Sequence, residues 1–447
     1  MTKQFDINKE FEAIEFNSKR LKARFIKTME KLEKDPEHSI LTSMGSRSEA
    51  KAVYRMLGNE KFSCEEIQRV HKASTIERMI DNQEQIILAV QDTTSVNYHT
   101  HNKTKGLGYN SEKTRGINVH SCLAMTTEGI ALGILDQHFY TRENMKQEGT
   151  REELKLRPIE EKESFRWLET MEKSNAGIPE SIKVINICDR EGDMYELYEK
   201  AVLEGKSFLI RVTQNRYSLN NEKIIHEIKK IPFKGSREVV IPRNPKTTTP
   251  ESNTTLWITY KKFEVKIPKR IKTETEVTMN VIYVTDQNEE SIEWILATNE
   301  SIETGEEAFK FVDYYIQRWK IERLHYILKS GCQIEKIQQR NVEQITPLIF
   351  MYSIISTMIL NMTYLSRINP NLPGTVVLDE EDINLLYRCV HKTQESPLEV
   401  YTLGELVAYL GILGGFKSAK SDGPPGVKLI WNGLQRLYYL QQFKAFL

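Results

Sequence analysis

Two short apolar segments of this chain each end in an aspartate. Residues 86–92 read IILAVQD, and residues 182–189 read IKVINICD. Apolar, β-branched runs of this length bounded by polar residues predict buried strands. Ligands in open α/β sheets bind beyond the carboxyl ends of the strands, so this pattern predicts that Asp92 and Asp189 face a functional site.

The surrounding sequence alternates between strand and helix patterns. Residues 116–140 contain two further apolar strands around a turn at 127–129, and a charged helical stretch, EKESFRWLETMEK, follows them. This alternation predicts an α/β fold, and we place this part of the fold at residues 81–204.

Residues 205–300 are rich in β-forming residues and in positive charge. The whole chain has 62 Lys and Arg and 62 Asp and Glu, and this formal net charge of zero neither favours nor excludes a polyanionic partner. Between residues 206 and 272, however, 16 Lys and Arg stand against 5 Asp and Glu. We expect a basic, mostly antiparallel β-rich insert here.

Residues 1–80 read as helices with capping residues at their starts. Ser18 precedes a helical pattern, a second helix is expected over residues 46–60, and a third opens at residues 63–66. The second carries the basic residues Arg47, Lys51 and Arg55. Two interpretations stay open, namely a DNA-binding module and a helical bundle with a solvated basic face.

Residues 301–447 return to helical patterns, which we divide at residue 370. Residues 345–366 contain no charged residue and are long enough to span a bilayer. Their Ser and Thr content and early proline favour a buried core helix instead. Residues 413–426 predict a loop, and residues 427–447 predict an amphipathic helix in a C-terminal region that could dimerise.

The five cysteines are scattered and form no CxxC pair, so they predict neither a zinc site nor a disulfide framework. The polar N-terminus has no signal-peptide core. We expect the protein to lie in a reducing cytoplasm, with no membrane partner.

Residues 315–329, YIQRWKIERLHYILK, contain no Gly or Pro and predict one helix. At about 100° per residue, Tyr315, Arg318, Glu322 and Lys329 would fall within an arc of about 60°. One interpretation is an exposed row of i,i+4 ion pairs. The other is that Glu322 joins the two strand-end aspartates.

Three convergent carboxylates repel one another and are costly unless a cation neutralises them. Oxygen ligands without neighbouring Cys or His indicate Mg²⁺ or Mn²⁺. Such a site suits two-metal phosphoryl transfer, in which two ions about 3.5–4 Å apart stabilise the attacking and leaving oxygens.

The spacing Tyr-x2-Arg-x3-Glu-x6-Lys at residues 315–329 resembles the YREK signature of bacterial DDE transposases. Other segments match in the same order, namely VQDTTS (90–95), TRGINVHS (114–121), EKESFRWL (161–168), ICDREGD (187–193), WILAT (294–298) and LGGF (413–416). Over nearly its whole length the chain is similar to the Tn-five-like members of the insertion-sequence-four family.

This resemblance implies a ribonuclease-H-like catalytic core interrupted by the β-rich insert, between helical N-terminal DNA-binding and C-terminal regions. It implies cut-and-paste transposition through a DNA hairpin, with terminal inverted repeats and target DNA as partners. It also implies a homodimer in the synaptic complex and bacterial, nucleoid-associated DNA as the location.

The resemblance also assigns site residues. Asp92, Asp189 and Glu322 would hold two Mg²⁺ or Mn²⁺ ions, and the signature residues Tyr315, Arg318 and Lys329 would bind DNA phosphates. Trp294 would stack on a base flipped from the duplex, although a core aromatic is the alternative.

Further residues are assigned with open alternatives. Arg211 and Arg216 would contact end DNA, or they are a solvated charged edge. We expect His120 to be a hydrogen-bonded core histidine, and Thr93 and Thr94 either to orient the metal site or to cap a turn. The alternatives to an active transposase are a catalytically silent DNA-binding regulator of transposition and a non-transposing nuclease.

Overall fold

The computed structural model describes residues 4–144, 150, 153, 156–241, 252–287, 292–395, 401–417 and 423–443. Its contacts divide the chain into two compact units. The first unit comprises Met1–Glu84, Thr93–Lys146 and Lys320–Leu447. The second unit comprises Gln85–Asp92 and Gln147–Trp319. The domain bounds inferred from the sequence stay predictions.

The strands are β1 Ile86–Asn97, β2 Gly108–Ser111, β3 Thr114–Met125, β4 Ala131–Tyr140, β5 Lys183–Cys188, β6 Ser207–Arg211, β7 Gly235–Ile241, β8 Ser252–Val265, β9 Val277–Thr285 and β10 Glu293–Thr298.

The helices are α1 Ile7–Glu10, α2 Lys19–Lys34, α3 Ile40–Ser43, α4 Arg47–Leu57, α5 Cys64–Asp81, α6 Phe165–Asn175, α7 Tyr195–Leu203, α8 Ile224–Ile228, α9 Gly305–Ile316, α10 Trp319–Tyr326, α11 Val342–Ile368, α12 Glu380–His391, α13 Leu403–Leu413 and α14 Val427–Phe443. Short 3-10 turns lie at Ile159–Glu161, Arg190–Gly192, Ile334–Lys336 and Gly374–Val376, and a π-helical turn lies at Ile327–Gly331.

The second unit is built on a mixed sheet with the strand order β1, β5, β6, β10, β9, β8, β7. The first three strands are parallel, and the remaining pairs are antiparallel. A hydrophobic core lies between this sheet and the helices α6 and α7. It includes Trp167 and Met171 of α6, Tyr195 of α7, Phe208 of β6 and Met279 of β9. The prediction of a mixed α/β protein is therefore confirmed. The strands predicted within residues 205–300 are β6–β10, and they continue the sheet that contains the two aspartate segments.

β1 is longer than the sequence predicts. It continues five residues past Asp92 to Asn97, so the prediction that the strand ends at Asp92 is wrong. In the first unit β3 is the neighbour of β1, and just past the end of β1 the Tyr98 amide donates to the Arg115 carbonyl of β3 at 2.8 Å. Thr93 and Thr94 therefore lie in a strand, so the alternative that they cap a turn is wrong, and their role in orienting the metal site stays a prediction. Thr93 Oγ1 lies 2.8 Å from His120 Nδ1, and His120 is fully buried, which confirms a hydrogen-bonded core histidine.

The N-terminal helices of the first unit begin where the capping residues predict. Ser18 accepts a hydrogen bond from the Leu21 amide at the start of α2. Ser46 and Ser63 do the same at the starts of α4 and α5. These local hydrogen bonds satisfy amides that the first turn of a helix leaves without partners, which is why the sequence locates them correctly.

α11 is the uncharged segment for which the sequence left two interpretations open. Among the described residues it is the one helix long and apolar enough to cross a bilayer, but 89% of its apolar window is buried inside the protein. It packs against β4 and α5 within the first unit. These contacts confirm the prediction of a buried core helix.

In the first unit, a hydrophobic core joins α11 to the C-terminal helices α12–α14, through Met362, Leu386, Leu406 and Ile430. Some predicted features lie outside the described residues. They are residues 242–251 and 288–291 of the β-rich insert, the middle of the loop 413–426 and the last four residues of the C-terminal helix.

Candidate active site

Asp92 and Asp189 come together on neighbouring parallel strands of the second unit. β1 and β5 pair in a constant register that ends at Val90 opposite Ile187. Asp92 and Asp189 each follow this last pair by two residues, and Asp189 lies just past the end of β5. Adjacent strands lie about 4.8 Å apart and residues two apart in a strand point to the same face. The two carboxylates are therefore neighbours, and the charge of Asp92 acts on the pKa of Asp189.

The environment of Asp189 makes ionisation of its carboxyl group unfavourable. Partial burial raises the pKa of Asp189, and the negative charge of Asp92 raises it further. The Glu191 amide, which donates a hydrogen bond to Asp189 Oδ1 at 2.8 Å, lowers this pKa, as does the Arg318 guanidinium. Two partly buried carboxylates at close range fit a divalent cation, because its charge would remove their repulsion.

Tyr315, Arg318 and Trp294 form an aromatic and cationic group in the second unit. The rings of Trp294 and Tyr315 meet edge to face with 5.6 Å between centroids. The Arg318 guanidinium carbon lies 5.8 Å from the centre of the Tyr315 ring. Burial raises the pKa of Tyr315, whereas the charges of Arg318 and Arg211 lower it. Tyr315 and Arg318 are buried, and Trp294 is half-buried.

The segment that contains these residues is not one helix. α9 ends at Ile316, and the Gln317 and Arg318 amides bond to carbonyls three residues earlier, which tightens the chain into a turn. α10 starts afresh at Trp319, and the Cys332 amide bonds to the Ile327 carbonyl five residues earlier in the π-helical turn. The prediction of a single helix with all four signature residues in one arc is therefore wrong.

Glu322 and Lys329 belong to the first unit. Glu322 lies in the first turn of α10, and Lys329 lies in the π-helical turn that follows this helix. Both are half-buried. Within the described ranges, no group of three or more His, Cys, Asp or Glu is arranged to hold a metal ion. The metal-binding role of the acidic triad stays a prediction.

Arg211 and Arg216 occupy different environments in the second unit. Arg211 closes β6 and donates to the Glu293 carbonyl at 3.3 Å. The Arg216 side chain is only 8% exposed and forms an ion pair with the buried carboxylate of Asp193. This contact gives Arg216 a structural role that sequence reasoning missed. Its contact with DNA stays a prediction, and its low exposure does not support it.

Arg47, Lys51 and Arg55 are all exposed on α4 in the first unit. Lys51 and Arg55 line a groove of about 910 Å³ together with two loops that lie far from them in sequence. Its lining residues are Lys51, Tyr54, Arg55, Thr100, His101, Asn102, Lys103, Thr104, Gln338, Gln339, Arg340 and Gln344. Four of these are Lys or Arg and none is acidic, so the groove is suited to an anionic ligand.

Hydrogen bonds between the two loops hold this groove in shape. The Lys105 amide donates to the Arg340 carbonyl at 2.9 Å, and the Val342 amide donates to the Lys105 carbonyl at 3.0 Å. Thr104 Oγ1 donates to the Gln339 carbonyl at 2.8 Å. Lys103 and Arg340 are therefore presented from two loops that hydrogen bonds join to each other.

The N-terminal segment matches a known DNA-binding domain. Residues 6–62 match the family model described as transposase DNA-binding. These residues include α1–α4 and therefore Arg47, Lys51 and Arg55. The match supports a DNA transposase and DNA as a partner. It covers a small part of the chain, so the insertion-sequence family stays a resemblance.

A solved structure shows a distant similarity to the whole chain. The cryo-EM structure of the piggyBac transposase synaptic complex with hairpin DNA is similar over 93% of this chain and 75% of that chain. The sequence identity is 12% and the TM-score is 0.38. This TM-score is too low to establish a shared fold, and the DNA-binding match is therefore the comparison that bears on function.

Glu191 and Arg166 form a pair next to Asp189, although sequence reasoning gave neither residue a role. Glu191 lies in the turn after Asp189 and accepts a hydrogen bond from Arg166 at 2.6 Å. Partial burial and the charges of Asp189 and Asp92 raise the pKa of Glu191, against the effect of Arg166. Arg166 and Glu191 are 25 residues apart in sequence, so only the tertiary structure shows that they pair.

Proposed function

We propose that this chain is a cut-and-paste DNA transposase of the DDE type, which cleaves and joins DNA by metal-dependent phosphoryl transfer. The observation that carries the proposal is the proximity of Asp92 and Asp189, on a chain whose N-terminal segment matches a transposase DNA-binding domain. The first feature supports the chemistry, and the second supports the substrate.

Asp92 and Asp189 would hold Mg²⁺ or Mn²⁺ through carboxylate oxygens. The raised pKa of Asp189 supports this role, because a partly buried acid that is costly to ionise beside another carboxylate gains most from a neighbouring cation. Bound ions would stabilise the attacking and leaving oxygens of an in-line displacement at phosphorus. Glu322 is proposed as the third ligand on the resemblance of the YREK motif.

The remaining signature residues would hold DNA around the reacting bond. Arg318, Lys329 and Tyr315 are proposed to bind phosphates, since a guanidinium, an ammonium and a phenol can each donate hydrogen bonds to phosphate oxygens. Trp294 is proposed to stack on a flipped base in a hairpin intermediate, which its half-buried ring beside Tyr315 would allow.

The basic groove of the first unit is proposed to bind the phosphates of the terminal inverted repeats, together with Arg47. The groove lies beside α4, and α4 belongs to the segment that matches the DNA-binding family, which supports this assignment. We further propose that two copies of the chain pair in a synaptic complex with the two element ends, and that the protein acts in the bacterial cytoplasm.

The direct test is cleavage of DNA that carries the inverted repeats flanking the coding region. Purified protein with Mg²⁺ should nick at the repeat ends, form hairpins and join the 3′ ends to target DNA. Asp92→Ala, Asp189→Ala and Glu322→Ala should each abolish cleavage while DNA binding persists. Lys173→Ala, which removes an exposed ion pair with Glu169, is the matched control and should retain cleavage.

The outcomes separate the alternatives. Equal cleavage by the wild-type protein and a triad variant would refute the DDE mechanism. Binding to the repeats without cleavage by any form would favour a catalytically silent regulator. Cleavage without strand joining would indicate a non-transposing nuclease.

A further inference from the structure

The turn that carries Asp189 is tied to helix α6 by an ion pair. Glu191 Oε2 accepts a hydrogen bond from Arg166 Nη2 at 2.6 Å. Glu191 is the middle residue of the turn Arg190–Gly192, and its own amide donates to Asp189 Oδ1 at 2.8 Å. Glu191 therefore contacts Asp189 through its backbone amide and Arg166 of α6 through its carboxylate.

Arg166 is held firmly enough to anchor this turn. Its side chain is 9% exposed, and Nη1 donates to the Glu163 carbonyl at 2.8 Å. The guanidinium carbon lies 5.6 Å from the centre of the neighbouring Trp167 ring. An arginine immobilised in this way loses little further side-chain entropy when it binds a carboxylate.

The turn itself packs closely on the same helix. A Cβ placed on Gly192 would meet the Cβ of Cys188 at 2.5 Å and Cε3 of Trp167 at 3.6 Å. The start of α6 and the end of β5 thus form one packed element. The Glu191 side chain, by contrast, is 61% exposed, so hydrophobic burial does not explain why its carboxylate is held.

We propose that the Arg166–Glu191 ion pair positions the Asp189 carboxylate for divalent metal binding. The proposal rests on the proposed function of Asp189. Neither residue need touch the metal ion or the DNA: Arg166 fixes Glu191, and the Glu191 amide fixes Asp189 Oδ1 beside Asp92. Partners of metal ligands act in this way when they hold a ligand in its binding orientation.

The experiment measures Mn²⁺ binding by calorimetry, without DNA, for Arg166→Gln, Glu191→Gln and the double variant. Each single variant should raise the Mn²⁺ dissociation constant by about tenfold or more. The double variant should be no weaker than the singles, because both remove the same interaction. Arg166→Lys should restore part of the affinity, and Lys173→Gln, on the same helix, should bind as wild type does.

A second measurement detects the positioning without metal. Hydrogen exchange of the peptide at residues 183–195 should be faster in Arg166→Gln and Glu191→Gln than in the wild-type protein. Thermal denaturation checks that each variant folds, and Glu191→Gln, at an exposed side chain, keeps the test open if Arg166→Gln does not fold.

The two proposals fail in different ways. Wild-type Mn²⁺ affinity in a folded Glu191→Gln variant, or additive losses in the double variant, would overturn the positioning role. Absence of Mn²⁺ binding by the wild-type protein itself would overturn the proposed metal site, and the positioning role with it. Faster exchange in the variants would then leave the ion pair as a purely structural link.

Discussion

At the scale of single residues, Asp189 differs from a surface acid because it is partly buried and lies near Asp92. Its pKa is raised by partial burial and by Asp92, so the ionised form destabilises the metal-free protein. This penalty is present above the raised pKa and disappears as the pH falls below the usual range of an aspartate. Functional sites commonly give up stability in this way.

Asp189→Asn should therefore stabilise the metal-free protein at pH 7, because it removes the repulsion from Asp92. We expect the melting temperature to rise by roughly 1–4 °C. Addition of Mn²⁺ should raise the melting temperature of the wild-type protein and leave that of the variant unchanged. A lower melting temperature for metal-free Asp189→Asn would show that the carboxylate is structural.

Trp294 is the second residue with a specific expected effect. If it stacks on a flipped base, Trp294→Ala should reduce hairpin formation by about 10- to 100-fold, since such stacking contributes about 1–3 kcal/mol, and should spare first-strand nicking. The measurement is the ratio of hairpin to nicked product on a repeat-end substrate. Equal loss of both products would count against stacking.

Trp257→Ala is the matched control for this experiment. Trp257 lies opposite Thr285 and Trp294 lies opposite Val284, so strand alternation places the two tryptophans on opposite faces of the sheet. Trp257 is 37% exposed, and its removal should leave the ratio of the two products unchanged.

At the scale of elements, a buried ionic cluster joins α1, α5 and β4 in the first unit. His71 Nδ1 lies 2.5 Å from Glu10 Oε1, and His71 Nε2 accepts a hydrogen bond from the Ile134 amide at 2.9 Å. Arg78 also binds Glu10 and donates to the Leu132 carbonyl at 2.7 Å. Burial alone would raise the pKa of Glu10, but Arg78 and His71 outweigh it and lower this pKa to about 2.

Glu10→Gln should destabilise the protein by about 3 kcal/mol at pH 7, because it leaves a buried guanidinium without its countercharge. The contribution of an acid with a lowered pKa is complete above its usual value and is lost as the pH falls through the folded value. The difference between variant and wild type in urea denaturation should therefore shrink between about pH 4.5 and pH 2. Glu12→Gln, at an exposed side chain nearby, is the control and should show no difference at either pH.

At the scale of the whole molecule, the distribution of charge is more informative about binding partners than the net charge is. The formal net charge is zero, yet the groove beside α4 gathers Lys51, Arg55, Lys103 and Arg340 with no acidic lining residue. Three separate chain segments supply these cations, and hydrogen bonds hold the loops of Lys103 and Arg340 together.

DNA binding should therefore weaken as salt rises, by displacement of counterions from the phosphates. Lys51→Gln with Arg55→Gln should reduce the slope of log affinity against log salt by about two, and Arg340→Gln should reduce it by about one more. Fluorescence anisotropy across a salt series measures this slope. Lys9→Gln with Lys61→Gln makes the same charge change elsewhere in the matched segment, and an equal loss of slope in that control would refute a localised site.

Local signals in the sequence were sufficient to predict much of this protein. Ser18, Ser46 and Ser63 identified helix starts because a cap bonds only to its own first turn. The aspartate segments and the uncharged α11 were identified because a run of apolar residues must be buried wherever it lies. The motifs also indicated Asp92, Asp189 and Glu322 as candidate metal ligands.

Only the tertiary structure decided which of these residues meet. The register of β1 on β5, the pairing that extends β1 past Asp92 and the ion pairs Arg166–Glu191 and Arg216–Asp193 all join segments distant in sequence. The break between α9 and α10 has no Gly or Pro to signal it, so local propensity could not reveal it. Periodicity and caps report interactions within a few residues, whereas register, groove lining and buried ion pairs depend on how distant segments pack.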